Sequence, residues 1–352
     1  MRVLIVAPSL RFLGGQAVQA RRLHAHLGNE DWVAADLLAV DPSLPKPFDR
    51  LQRVKYLRTL VTSLLYVANL LQSVWRYDVV HAFSASYTSF LLAPVPAMLI
   101  GRLFGKRVLV NYRSGEARDH LNRWGWHAIP LLRLAHEIVV PSNYLVDVFA
   151  EFGLRATAVP NFLDLDALPY RRRTVIRPRF LANRNFEVHY GVADVIRAFA
   201  IIRESHPDAE LEIVGDGPLR NDLHLLARSL NLTSLKFIGA IKPEQMPAFY
   251  DRCDVYLNAP LIDNMPTSVI ESFATGVPVV TSDAGGIPYI VRDGENGLVV
   301  PSGDFAAMAS GALRLIAEPE LAVRLADRAR HEAVQRYTWQ AVRDGWRRVY
   351  AG

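Results

Sequence analysis

The chain has 352 residues, 51% of them hydrophobic, and a formal net charge of +5. That length exceeds the usual single-domain ceiling and the apolar content can fill two cores, while the lone cysteine, Cys253, excludes an intramolecular disulfide. The basic residues are dispersed, without zinc-finger spacing, RNA-binding aromatic motif or basic tail, which excludes nucleic acid as a partner and leaves a phosphorylated substrate or an anionic membrane.

The opening MRVLIVAPSLRFLGG lacks the charged start and cleavage site of a secretory signal, so a reducing, cytoplasmic setting is expected. Short β-branched runs alternate with longer helical patterns from end to end. This is the rhythm of βαβ units feeding parallel sheets, and the fold class is α/β. In the first half, strands are expected near residues 3–7, 33–40, 78–83, 107–111, 138–140 and 157–159, enough for one sheet. The first strand gives way to a loop ending in Gly14-Gly15, ahead of the amphipathic pattern QAVQARRLHAHL. Glycines there let a ligand approach a helix N-terminus, whose free N–H groups and dipole favour phosphate; an ordinary tight turn is the other reading. GxGxxG spacing is missing and no acidic residue ends the second strand in a ribose-binding position, which argues against a nicotinamide enzyme.

Residues 50–77 carry Arg50, Arg53, Lys55, Arg58 and Arg76 and no acid. The uncharged run from Thr59 to Trp75 includes six polar residues, too many for a membrane span. Their helical spacing leaves a broad apolar face. That face suits either an anionic membrane surface, at the inner side of the cell membrane, or the core beneath the first sheet.

After Pro160, NFLDLDALPYRRRTVIRP has little periodicity and reads as a linker. A second set of strands is expected near residues 179–182, 211–214, 235–238, 255–258, 277–281 and 298–300. From Asp304 onward the pattern is helical, and TWQAVRDGWRRVY fits a closing helix that crosses back to the first domain. The expected organisation is therefore a first domain at 1–165, a second at 166–337 and the closing helix at 338–352.

The densest block runs from Asp254 to Asp304. A strand leads into the loop Asp263-Asn264-Met265-Pro266, Thr267 can cap a helix containing Glu271, Gly276 ends that helix, and VPVVT leads to Gly285-Gly286. Asp263 and Glu271 are separated by roughly 12 Å even if the whole interval is helical, beyond the ~5–9.5 Å of paired glycosidase carboxylates. They should grip different parts of one long ligand. No Cys/His cluster or DxD-type pair suggests a metal, so neither a metal nor a cofactor is expected.

This block resembles the D/E-x7-E signature of the retaining GT-B glycosyltransferases of family 4. The similarity continues in GDGPLR at 215–220, FIGAI at 237–241, VPNFLD at 159–164 and the opening Gly14-Gly15. The resemblance implies two Rossmann-like domains facing a central cleft, with the α-helical tail closing back. It implies transfer from a nucleotide-sugar donor, a substrate rather than a cofactor, to a hydroxyl of a sugar, lipid-linked or small-molecule acceptor, as in polysaccharide, glycolipid or other glycoconjugate synthesis. It implies further that Glu271 holds the ribose and Asp263 the donor sugar. The backbone at Asn264, Met265, Pro266, Thr267 and Ser268 would hold the diphosphate and sugar, with Gly14 and Gly15 completing the diphosphate site. Arg184 matches the arginine that meets charge on the leaving diphosphate.

Two positions depart from the family. Tyr190 stands where a lysine is expected, leaving Arg179 or the helix starting near Gly191 to compensate. Arg113 stands where many relatives carry a histidine; it suits an anionic sugar or acceptor, or an ion pair with Glu116. His81 is either a substitute for that histidine or a structural residue. Retention, by the family's route, uses the leaving phosphate oxygen to help deprotonate the acceptor. Two other classes compete: a catalytically silent binding or scaffold subunit, favoured by Tyr190 and Arg113, and a sugar-nucleotide epimerase or hydrolase, which calls for further acid/base residues near the sugar.

Overall fold

The computed structural model describes residues 1–9, 14–43 and 55–352, apart from the side chains of Lys55 and Tyr56. Arg50, Arg53 and the Lys55 side chain, three of the basic groups singled out above, lie outside the described set, as does the stretch 10–13 before Gly14. The chain divides into two compact units, Met1–Val159 with Asp344–Gly352, and Pro160–Arg343.

The first unit contains β1 (Arg2–Ala7), α1 (Gly15–Leu27), β2 (Ala34–Ala39), α2 (Lys55–Ser73), β3 (Val79–Ser84), α3 (Tyr87–Leu92), α4 (Pro94–Leu103), β4 (Arg107–Tyr112), α5 (Ala117–Leu132), β5 (Glu137–Val140), α6 (Asn143–Glu151) and β6 (Thr157–Ala158). Its strands pair in parallel in the order β2-β1-β3-β4-β5-β6. Helices cover both faces of such a sheet, so a central strand is buried on both sides: Val3 to Ala7 of β1 are all buried. Tyr66, Leu70 and Val74, spaced by four along and just beyond α2, pack with Leu4, Val6, Val80 and Ala82. Leu121, Ala128, Val148 and Phe149 of α5 and α6 join Val108 and Val110 in a second cluster.

The second unit contains β7 (Arg179–Asn183), α7 (Val192–Ser205), β8 (Glu210–Val214), α8 (Arg220–Ser229), β9 (Leu235–Gly239), α9 (Met246–Arg252), β10 (Val255–Asn258), α10 (Thr267–Thr275), β11 (Val279–Ser282), β12 (Leu298–Val300), α11 (Phe305–Ala317) and α12 (Pro319–Arg336). The last helix, α13 (Trp339–Ala351), starts in this unit, and its residues from Asp344 belong to the first. The sheet is again parallel, in the order β12-β11-β10-β7-β8-β9.

Each of the twelve expected strands has its counterpart, with edges moved by a residue or two. β11 begins late because Val277 N donates to Ser272 O in the Gly276 turn and Pro278 has no N–H to offer the ladder. The linker is a correction. Phe162, Leu163, Leu168 and Ile176 are buried in the second unit, and the buried Arg173 donates to the carbonyls of Tyr250, Arg171, Cys253 and Thr275. The segment lacks periodicity because its backbone is irregular, yet it packs, and the units divide at 159/160 rather than 165/166.

The strand orders fix where ligands collect. In the first unit the order reverses between β1 and β3, and in the second between β7 and β10; open parallel sheets bind ligands outside the carboxyl ends of their strands at such points.

Candidate functional site

In the second unit, Arg184 follows β7 and the loop 259–266 follows β10, on either side of the reversal. Arg184 N donates to Val214 O at 3.0 Å, and the next turns are clamped by the GDGPLR loop through Phe186 N to Asp216 O and Leu219 N to Phe186 O, both 3.0 Å. Its side chain is only 11% exposed and ion-pairs with the Asp263 carboxylate, itself 13% exposed. The guanidinium carbon lies 4.1 Å from the centre of the Tyr190 ring. Burial works against the charge, but Asp263 and the tyrosines more than offset this and hold its pKa above the ordinary value. Arg184 Nε is buried and donates to no described group.

Gly191 brings the two loops together. It caps α7 at φ 61°, and a Cβ there would lie 1.7 Å from the Ala259 carbonyl oxygen. Strain in the left-handed region and overpacking against fixed backbone add, so Gly191→Ala is expected to destabilise the chain by about 2–5 kcal/mol in denaturant unfolding. A loss under about 1 kcal/mol would mean that the β10 loop yields freely.

Asp263 accepts from Asn264 N at 2.7 Å, and its carbonyl accepts from Gly286 N at 3.0 Å. A Cβ at Gly286 would meet Asn264 O at 2.0 Å, so this glycine is required by the loop it backs. Met265 is seated by Asn161, whose N donates to Sδ at 3.3 Å and whose Nδ2 donates to the Met265 carbonyl at 2.9 Å. Ser282 Oγ donates to Pro260 O at 2.6 Å, pinning the loop's start. Pro266, not Thr267, is the N-cap of α10, with no side-chain cap; Thr267 is already helical, because Pro266 sets the extended entry. Val269 N already donates to Pro266 O at 3.2 Å, while the N–H groups of Thr267 and Ser268 precede the first intrahelical acceptor and lie at the end that favours anions. Glu271 sits one turn further, about 6 Å along the axis. There it accepts from Tyr250 Oη at 2.9 Å, and Asn183 Nδ2 donates to the same phenol at 3.3 Å. Burial and Glu271 push the Tyr250 pKa well up, so it stays a donor.

In the first unit, Gly14 is the N-cap of α1 with extended backbone, and Gly15 opens the helix. A Cβ on Gly15 would meet nothing within 4 Å among the described residues, so neither packing nor a positive φ calls for glycine there. The Ser84 carbonyl ties this edge together, accepting from Gln16 Nε2 at 3.2 Å and from Arg113 N at 3.0 Å. Arg113 Nη1 donates to Asn111 Oδ1 at 3.3 Å, its guanidinium lies 5.5 Å from the Phe83 ring centre, and burial pulls its pKa down to about 9. His81 is fully buried against Phe83 and Trp346, with Nδ1 2.8 Å from Tyr350 Oη, and burial lowers its pKa to about 3. It is a neutral packing residue.

Arg184, Asp263, Asn264, Met265, Pro266, Thr267, Ser268 and Glu271 thus share one strand edge of the second unit, and Gly14, Gly15 and Arg113 one edge of the first. Sequence reasoning missed Asn161 and Tyr250. The VPNFLD and YDRCD segments held them, but only the sheet order brings them to Met265 and Glu271. Among the described residues no group of three His, Cys, Asp or Glu side chains is placed to hold a metal ion.

Residues 176–332 match the family described as Glycosyl transferases group 1. The chain is 27% identical to a glycogen synthase of Mycobacterium tuberculosis over 78% of its own length and 69% of that protein's. It is 29% identical to the GDP-mannose-dependent alpha-(1-6)-phosphatidylinositol monomannoside mannosyltransferase of Mycolicibacterium smegmatis, over 70% and 72% of the two chains. Anabaena HepE, solved with UDP-glucose, superposes with a TM-score of 0.79 at 17% identity, covering 100% of this chain and 99% of its own. That likeness shows the α/β GT-B fold built of two Rossmann-like units.

Proposed function

We propose that this chain, a glycosyltransferase of the GT-B fold, moves a sugar from a nucleotide-sugar donor to an acceptor hydroxyl with retention, as the family 4 enzymes it resembles do. The carrying observation is the buried Arg184, held between Asp263 and the Tyr190 ring at the strand reversal that also carries the open end of α10. A phosphate there would be met by a fixed cation, by helix N–H groups and by the Arg184 Nε–H. Glu271 takes the ribose hydroxyls, Asp263 the sugar, and Asn264 to Ser268 the diphosphate and sugar.

Tyr190 supplies no charge in place of the lysine; its ring face stabilises the guanidinium instead, worth about 0.5–2 kcal/mol. As the sugar–oxygen bond breaks, negative charge grows on the diphosphate, and a preorganised cation and dipoles meet it without reorganisation. The departing phosphate oxygen takes the acceptor proton on the same face. The acceptor belongs to polysaccharide or glycolipid synthesis, and a lipid-linked acceptor requires the chain to work at a bilayer surface.

A thermal-shift panel of UDP-, GDP-, ADP- and dTDP-sugars tests the reading, because a ligand at 100 times its Kd adds about 2.7 kcal/mol. One nucleotide should stabilise selectively, and turnover of that donor in the presence of acceptor should follow. Stabilisation without turnover would assign the chain to a silent binding subunit, and acceptor-independent turnover to an epimerase or hydrolase. Turnover is expected to persist in excess EDTA, because charge on the leaving group is met by Arg184 and dipoles. Complete loss restored by magnesium or manganese would overturn that.

A further inference from the structure

We propose that α2, the turn that follows it and the C-terminal end of α4 form a docking face for an anionic lipid bilayer. The buried stripe of this segment, Tyr66, Leu70 and Val74, is accounted for by the sheet beneath it. Leu57, Leu60, Leu64 and Leu71 recur at spacings of three, four and seven on a different face, and all four are exposed, Leu60 by 58% and Leu64 by 63%. A helix that merely covers a sheet is polar on its outer side. Beyond the helix Trp75 is 58% exposed.

α4 packs beside α2 and adds Leu99, Phe104 and Leu103, the last 79% exposed. The two segments meet where Lys106 Nζ donates to the Trp75 carbonyl at 3.2 Å, which brings the exposed indole to the end of α4. Arg76 lies over that indole, 5.0 Å from its centre. Exposed large apolar side chains clustered on two helices that pack side by side mark an interaction site rather than scattered exposure.

Charge selects the partner. Between Lys55 and Tyr77, and again between Val79 and Lys106, the chain has no acidic residue, whereas Arg58, Arg76, Arg102 and Lys106 flank the leucines. Exposed leucines with tryptophan and phenylalanine, on segments whose own charges are all cationic, suit an interface with anionic headgroups, where rings and alkyl chains reach the acyl boundary. No helix among the described residues is long and apolar enough to cross a membrane, so the contact lies on the surface. The face belongs to the first unit alone and stands independently of the donor chemistry.

The test is co-sedimentation of the full chain with vesicles of phosphatidylcholine, alone or mixed with phosphatidylglycerol. Binding to the mixed vesicles only, weakening as salt rises, is expected. Each basic residue near the surface contributes about a fivefold gain in partitioning, so Arg76→Gln with Lys106→Gln should lower it about 25-fold. Leu64→Gln with Leu103→Gln should abolish binding while melting temperature and nucleotide affinity stay unchanged, since both side chains face solvent. Equal binding to both vesicle types, or to neither, overturns the proposal. So does a concentration-dependent dimer in sedimentation velocity that the two leucine substitutions abolish, which would give the face to a second copy of the chain.

Discussion

Arg184→Ala is expected to lower kcat/KM for the nucleotide-sugar donor by about 10²–10³-fold, with most of the loss in kcat. The guanidinium is preorganised: Asp263 holds one edge, Tyr190 lies beneath its plane, and the backbone is fixed by Val214 and the GDGPLR loop. Such a group meets charge that exists only as the diphosphate departs, so its removal costs the transition state more than the bound donor. Arg184→Lys should recover little, because a point charge on a flexible stem reproduces neither the fork toward the carboxylate nor the stacking on the ring. Tyr190→Leu should fall between, within about thirtyfold of the parent, since only the ring's contribution is lost. Steady-state kinetics on the three variants, with unfolding curves alongside, check the order. A fall in kcat/KM carried wholly by KM would make Arg184 a uniform donor-binding residue.

Glu271→Gln is expected to weaken the free nucleoside diphosphate and the intact donor alike, by roughly ten- to a hundredfold, since a hydrogen bond to a charged group contributes about 1.5–3 kcal/mol. The phenol of Tyr250 aims this carboxylate, so Tyr250→Phe should reproduce the effect in weaker form while leaving kcat nearly unchanged. Asp263→Asn should spare the diphosphate and instead reduce turnover and discrimination among donor sugars. Calorimetry with the nucleotide chosen by the thermal-shift panel, run on each variant, separates these outcomes. Parent-like diphosphate binding by Glu271→Gln, or its complete loss in Asp263→Asn, would displace the ligand from this loop and helix.

The loop and helix that carry the two carboxylates were readable because the residue types that build them are local. A short buried strand, a proline turn, a short helix and a left-handed glycine at 276 follow one another within about 30 residues, and each leaves its own mark in residue type. The same holds for the central strands β1 and β10, since parallel strands buried on both faces are apolar runs.

Other features could be reached only through the tertiary structure. Tyr190 looked like a lost charge, and only the fold shows its ring under Arg184. The linker looked featureless because irregular backbone has no period, yet Arg173 and Leu168 are buried in the second unit. The helix at α2 admitted either a core or a membrane reading from its pattern. The structure shows that it has an apolar face for the sheet and a second one left exposed. The sequence by itself determined the alternation of elements, the loop after β10 and the helix that follows, because backbone conformation and burial of one face are encoded by near neighbours. The pairings Arg184 to Asp263, Tyr250 to Glu271 and Asn161 to Met265 join residues 79, 21 and 104 positions apart. Strand order brings them together, and a contact set by strand order leaves no periodic signal in the chain.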